Sequence, residues 1–203
     1  MTLPPEIRLA DRYDAEAVAE LIAVAFGPLA VARWLIDDDH SRARLFPGHF
    51  RIFVDHALTH GVIHTTTDRR AAALWLPATA PPPADYQARL AATCGPYLPR
   101  FQALDAAFDA HHPAAAHHHL ALLAVHPTRQ DTGLGSALLA HHHRQLDAEG
   151  TPAYLEASSP RSRQLYLRHG YHDLPDAPFN LPEDGPPMWP MWRPPGQAAG
   201  GRP

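Results

Sequence analysis

VHPTRQDTGLGSALLAHHH, residues 125–143, ends an apolar run at a proline and continues into a helix-like segment. Between the two lie Gln130 and a pair of glycines, Gly133 and Gly135. The run before it, HLALLAV at 119–125, reads as a buried strand. Strand, glycine-bearing loop and helix start make an anion site. The first amides of a helix have no partner within the helix, and its dipole places about half a positive charge at that end. Glycines let the backbone approach a phosphate with no Cβ in the way and tolerate positive φ. The spacing excludes two familiar loops. The third glycine of a dinucleotide fingerprint would fall at Leu138, and no Gly-Lys-Ser/Thr occurs.

The flanks give the order of elements. AYLEAS at 153–158 reads as a strand, so 119–158 is a strand–helix–strand unit with a locally parallel pair, and the chain is an α/β layer fold. Upstream, EIRLADRYD at 6–14 is a short strand and turn. Asp14 is placed to cap a helix over 15–26 with Val18, Leu21, Ile22 and Ala25 on one face. Short and long helices follow at 29–36 and 45–58, separated by the acidic run Asp37, Asp38, Asp39. Strands at 62–68 and 71–78 share a tight turn, and 84–110 is helical in two pieces broken near Gly95. Downstream, PRSRQLYLRHG at 160–170 is a helix with proline in its first turn and Gly170 at its end. Two strands around a proline-rich loop are expected within 171–195. Residues 1–195 read as one domain, and 196–203 as a disordered tail.

Composition bounds the function. With 203 residues, 45% hydrophobic and 19% charged, the chain is long enough for a real core. No apolar run approaches the ~20 residues a membrane helix needs, and the N-terminus lacks the pattern of a signal peptide. A single cysteine, Cys94, points to a reducing, cytoplasmic setting and reads as a small buried hydrophobe. All 17 basic residues are arginine and they are scattered, which argues against nucleic acid as a partner.

LLAVHPTRQDTGLGSALL resembles motif A of the GCN5-related N-acetyltransferases, the GNAT family. AYLEASS at 153–159, YLRHGY at 166–171 and the closing MWR agree with it in order and spacing. The resemblance implies a GNAT fold, a mixed sheet of six or seven strands flanked by helices, and acetyl-CoA as co-substrate. It implies that backbone amides of Gln130, Asp131, Thr132, Gly133, Leu134, Gly135 and Ser136 hold the pyrophosphate. Amides of Leu123, Ala124 and Val125, at a bulged strand, would hold the acetyl group and pantetheine. The pattern's asparagine in the following helix is replaced by RSRQ at 161–164, where Ser162 or Arg161 stands in. Within the family, IRLADRYD, Ala25-Phe26, Trp75 and LEASSPRS resemble the puromycin-acetylating branch. That resemblance implies an antibiotic or related toxic amine as acceptor, in resistance or detoxification.

Acetyl transfer needs a neutral amine, a donor for the oxyanion and a proton or hydrogen bond for the leaving thiolate. By the resemblance Tyr166 is the acid. Glu156 is the candidate base, since a carboxylate inside an apolar strand is costly unless solvated or paired. Tyr166 packed in the core and Glu156 as a plain ion pair are the structural alternatives. The 16 histidines do not form a metal motif. His141, His142 and His143 point about 100° apart on a helix, with His142 on the face of Leu134, Leu138 and Leu146. No metal is expected, and His126 is an alternative base. Trp34, Phe50 and Phe53 are candidates for the acceptor side. The expected activity is acetylation of a primary amine on a small molecule by a monomer or homodimer. The rivals are a peptide or protein acetyltransferase and a non-catalytic acyl-CoA sensor.

Overall fold

A computed structural model describes residues 6–196. These form eight strands and seven helices. In chain order they are β1 (Ile7–Leu9), α1 (Ala15–Phe26), α2 (Ala30–Leu35), α3 (Asp39–His60), β2 (Val62–Thr66), β3 (Ala71–Pro77), α4 (Tyr86–Cys94), α5 (Leu98–His111) and β4 (His118–Val125). There follow α6 (Leu134–Glu149), β5 (Ala153–Ala157), α7 (Pro160–Arg168), β6 (His172–Asp173), β7 (Phe179–Asn180) and β8 (Pro187–Arg193). The sheet is open and runs β1-β2-β3-β4-β5-β8-β6, with β7 pairing β8. Every pair is antiparallel except β4–β5, as the crossover through α6 requires.

The sheet separates two cores. Ala72, Leu74, Ala124 and Leu122 pack on the side of α1, α3, α4 and α5. Ala71, Ala73, Trp75, Leu120 and Leu123 pack on the side of α6 and α7. Leu120 and Leu122 differ by two yet face opposite ways. The register with β3 explains this: Leu74 pairs Leu122 and Trp75 pairs Leu120, so Ala121 is an extra residue in β4. A bulge of one residue flips the alternation beyond it.

Several expectations are corrected. Asp14 stands at the N-cap position of α1 but makes no side-chain cap. Its carboxylate, 2% exposed, accepts from Arg8 at 2.6 and 2.8 Å, from Arg69 at 2.7 Å and from the preceding turn's Asp11 amide at 3.0 Å, so it faces away from the first-turn amides of α1. The acidic run does not merely break a helix. The Asp38 carboxylate accepts from the Ser41 amide at 2.6 Å and starts α3 six residues earlier than the apolar pattern suggests. The 171–195 segment holds three short strands rather than two, which brings the sheet to eight. Gly196, the first residue of the expected tail, is tied to Asp147 through its amide at 2.6 Å. Residues 197–203 lie outside those described.

Candidate active site

β4 and β5 are paired at only two positions, His118 with Ala153 and His119 with Tyr154. Past His119 the strands part. Between them opens a cavity of about 610 Å³, within the range of small-molecule sites. Its mouth is formed by the loop at 129–136 and the start of α7, its waist by β4 and β5, and its far end by α2, α3 and α5.

At the mouth, Gly133 holds φ +85° directly before α6, a conformation that favours glycine. A Cβ on Gly135 would come 3.5 Å from Leu165, 3.7 Å from Val125 and 3.9 Å from Leu123, and all three line the cavity. Gly135 therefore keeps the cleft between β4 and α7 open; its φ lies outside the left-handed region. Gln130 Nε2 donates to the Val125 carbonyl at 3.3 Å and closes the loop on itself. Asp131, exposed and at φ +62°, pairs with Arg161 at 2.6 Å across the mouth. Gln130, Asp131, Leu134 and Ser136 line the cavity, with Leu123 and Val125 deeper in. Thr132 and Ala124 do not: the Thr132 hydroxyl donates to the Arg129 carbonyl, and Ala124 packs into the core under α1. Ser162 lines the cavity with its hydroxyl committed to Ser159 in a capping box at the start of α7.

At the waist, Tyr166 projects from α7 into the cavity. Burial alone pushes its phenol above the ordinary range. The Glu156 side chain, which also lines the cavity, is 5% exposed. Its Oε2 lies 2.9 Å from His119 Nε2, and its Oε1, 3.9 Å from His112 Nδ1, has no hydrogen-bond partner. Burial by itself would raise this carboxyl; His119, His112 and Tyr154 outweigh it and hold it far below the usual carboxylate range. Sequence reading missed His119. It lies 37 positions from Glu156, and only the β4–β5 register brings the two together. His126 is bonded to Thr128 and does not line the cavity.

At the far end, Phe50 and Phe53 line the cavity with Phe26, Phe46, Phe108 and His49. Trp34 does not: its indole donates to the Pro182 carbonyl at 3.1 Å. Cys94 is fully buried, and burial pushes its thiol up to about 12. Among the described residues no group of three or more His, Cys, Asp or Glu is arranged to hold a metal ion. No helix among them is long and apolar enough to cross a membrane.

Residues 102–173, which carry β4, the loop, α6, β5 and α7, match the family model of the acetyltransferase (GNAT) domain. That segment carries the match to a GNAT acetyltransferase domain. Solved structures extend the likeness over nearly the whole chain. A histone acetyltransferase HPA2 and related acetyltransferase from Corynebacterium glutamicum is 26% identical, with 98% of this chain and 100% of that chain covered and a TM-score of 0.73. The ribosomal-protein-S18-alanine N-acetyltransferase from Escherichia coli shares the fold at 17% identity, 98% and 99% coverage and a TM-score of 0.57. Arylalkylamine N-acetyltransferase 2 from Aedes aegypti does so at 12% identity, 94% and 99% coverage and a TM-score of 0.64.

GNAT acetyltransferases use acetyl-CoA as co-substrate, and this chain is an N-acetyltransferase of that kind. Its residues fit the co-substrate. The unpaired first-turn amides of α6 follow a glycine at positive φ, and the cleft beside them is kept clear at Gly135. The free edges of β4 and β5 offer further backbone donors below it.

Proposed function

We propose that the protein acetylates a primary amine on a small molecule, with an antibiotic or related toxic amine of the puromycin kind as the leading acceptor class. One observation carries this reading: a single cavity is lined by the loop at 129–136, by Tyr166 and Glu156, and by an aromatic chamber of α2, α3 and α5. A chamber of that kind suits a compact acceptor. Residues 1–195 are taken as one catalytic domain, supported by one sheet shared by both cores over the described part.

The roles follow from the geometry. Amides of residues 130–136 face the pyrophosphate. Strand amides of Leu123 to Val125, with Ala124 contributing backbone only, hold the pantetheine and polarise the thioester carbonyl. Glu156 stays ionised and accepts from His119 Nε2, an arrangement that puts the ring's lone pair on Nδ1. His119 then takes the proton of the attacking nitrogen, directly or through water, and Glu156 stabilises the imidazolium that forms. The new C–N bond forms at the carbonyl, the C–S bond breaks, and the thiolate leaves. Tyr166, kept protonated by burial, donates its O–H to that sulfur. Its phenol is less acidic than a thiol, so the help comes chiefly as a hydrogen bond to developing charge.

The 26% identity to a protein named as a histone acetyltransferase supports a second reading, acetylation of a peptide or protein amine. Thiol release from acetyl-CoA against a panel separates the readings. The panel is puromycin, aminoglycosides, amino acids, lysine peptides and peptide N-termini. Release with a small amine is expected. Release with peptides alone overturns the proposal in favour of the second reading, and acetyl-CoA binding with no release from any amine makes the chain a sensor.

A further inference from the structure

The far chamber contains one carboxylate, Asp105 of α5, among aromatic side chains. Apart from Glu156, which is held by His119, the other part-buried carboxylates among the described residues have arginine partners: Asp14 with Arg8 and Arg69, Asp55 with Arg51 and Arg89, Asp147 with Arg193, and Asp173 with Arg163. Asp105 differs. Its described partner is the Tyr86 hydroxyl, which donates to its two oxygens at 2.9 and 3.1 Å. Burial pushes its carboxyl up to about 6, against the Tyr86 hydrogen bond and with help from Asp109. A carboxylate lining an apolar cavity without a counter-charge is costly, and a cation arriving there would relieve that cost.

The walls suit a cation on a flat apolar body. Phe53 stands 5.9 Å from Tyr86 and 5.2 Å from His49, ring to ring, and Phe50 stands 5.1 Å from His49. Aromatic faces attract cations electrostatically. His49 is 6% exposed, lines the chamber and has an Nδ1 with no partner. Burial lowers its pKa to about 3, so it stays neutral and does not repel a positive group. It offers one hydrogen bond instead.

The chamber is also at a fixed distance from the chemistry. Asp105 and His112 are seven positions apart at the same face of α5 and its C-cap, and His112 lies beside Glu156. At 1.5 Å per residue, seven residues separate them by about 10 Å along the helix. A nitrogen held at Asp105 is therefore not the nitrogen that reacts beside His119.

We propose that Asp105 anchors a second, cationic nitrogen of the acceptor, so that the substrate class is a compact aromatic amine with two basic nitrogens about 10 Å apart. This inference rests on the small-amine reading of the same cavity and adds the class of acceptor. The test compares 1,4-bis(2-aminoethyl)benzene, whose two nitrogens sit on extended arms at opposite ends of one ring and reach that separation, with 2-(4-propylphenyl)ethylamine, which has a methyl group in place of one amino group. Both are assayed by thiol release. With the unaltered protein the diamine should show a KM at least tenfold lower, at similar kcat. In Asp105→Asn the two KM values should converge to within about twofold, with melting temperature and acetyl-CoA affinity checked alongside. Equal KM values in the unaltered protein overturn the proposal whatever the variant does, and so does a preference that survives in the variant. Release with neither amine but with other small amines overturns the diamine class and leaves the small-amine reading standing. Release with no small amine at all removes both.

Discussion

At the scale of the residue, the proposed chemistry rests on three side chains, His119, Glu156 and Tyr166, that folding brings to the lining of one cavity. On the proposed reading, Tyr166→Phe removes the hydrogen bond to the leaving sulfur and leaves the loop amides untouched. We expect kcat to fall at least tenfold, with acetyl-CoA affinity within about twofold, as befits an interaction made in the transition state. Equal turnover by the variant removes Tyr166 from the chemistry. Glu156 and His119 form a different kind of unit. If Glu156 acts by holding His119, then Glu156→Gln and His119→Gln should each lower kcat/KM by roughly 10²-fold, and the double variant should be little worse than either. Multiplied losses would mean two independent roles. A single large effect at Glu156 with none at His119 would restore the carboxylate as the direct base.

At the scale of the element, the strand–loop–helix unit was legible because its signals are local. A proline ends β4, Gly133 precedes α6 and Gly150, at φ +66°, follows it. The start of α7 was equally legible from Pro160. What the sequence hid depends on partners far along the chain. Asp14 looked like a cap because the helix amide is near; of the two arginines that hold it instead, Arg8 is six residues away across the turn from β1 and Arg69 is 55 residues away. The bulge at Ala121 exists only relative to β3, and the parting of β4 from β5 only relative to their register. Thr132 and Ala124 belonged to the right segments, yet which members of a segment face the cavity is set by that same register and by the turn. The two glycines of the loop therefore act differently, and substitutions should separate them. Gly135→Val puts methyl groups into the cleft beside Leu165 and Val125 and should weaken acetyl-CoA binding at least tenfold with little loss of stability. In Gly133→Ala the new Cβ meets nothing within 4 Å, so the effect comes from the backbone alone: about 1–2 kcal/mol of stability for an L-residue at positive φ. Calorimetric binding and thermal melting of both variants check this. The assignment of the loop fails if Gly135→Val binds acetyl-CoA normally.

At the scale of the molecule, the histidines link stability to pH. His142 is sandwiched in a buried chain, with its Nδ1 3.1 Å from His64 and its Nε2 3.2 Å from His118, and its ring packs on Trp75. His143 bonds the Tyr171 hydroxyl at 3.1 Å, and His49 stands among phenylalanines. Burial pushes His49, His142 and His143 down to about 3 and His64 to about 4. In the unfolded chain these groups titrate near 6.5. The unfolded state therefore binds more protons below that pH, and the stability contributed by the neutral buried rings is present above pH 6.5 and lost as pH falls toward the folded values. Each fully coupled histidine can cost up to about 1.4 kcal/mol per pH unit across that window. With total stability commonly about 5–15 kcal/mol, three or four such groups are enough to unfold the domain between roughly pH 4 and 5. That is above the range where Asp14, Asp147 and Asp173, held below the usual carboxylate range chiefly by their arginine hydrogen bonds, begin to protonate. The melting temperature should accordingly be level from pH 8 to 7 and fall steeply from pH 6.5 to 5. His143→Gln, which removes one titrating ring and keeps a polar partner for Tyr171, should make that fall shallower. A melting temperature unchanged between pH 7 and 5 would mean that the rings are already solvated or charged in the folded protein, and the packing of α6 against β2 and β3 would then have to be looser than described.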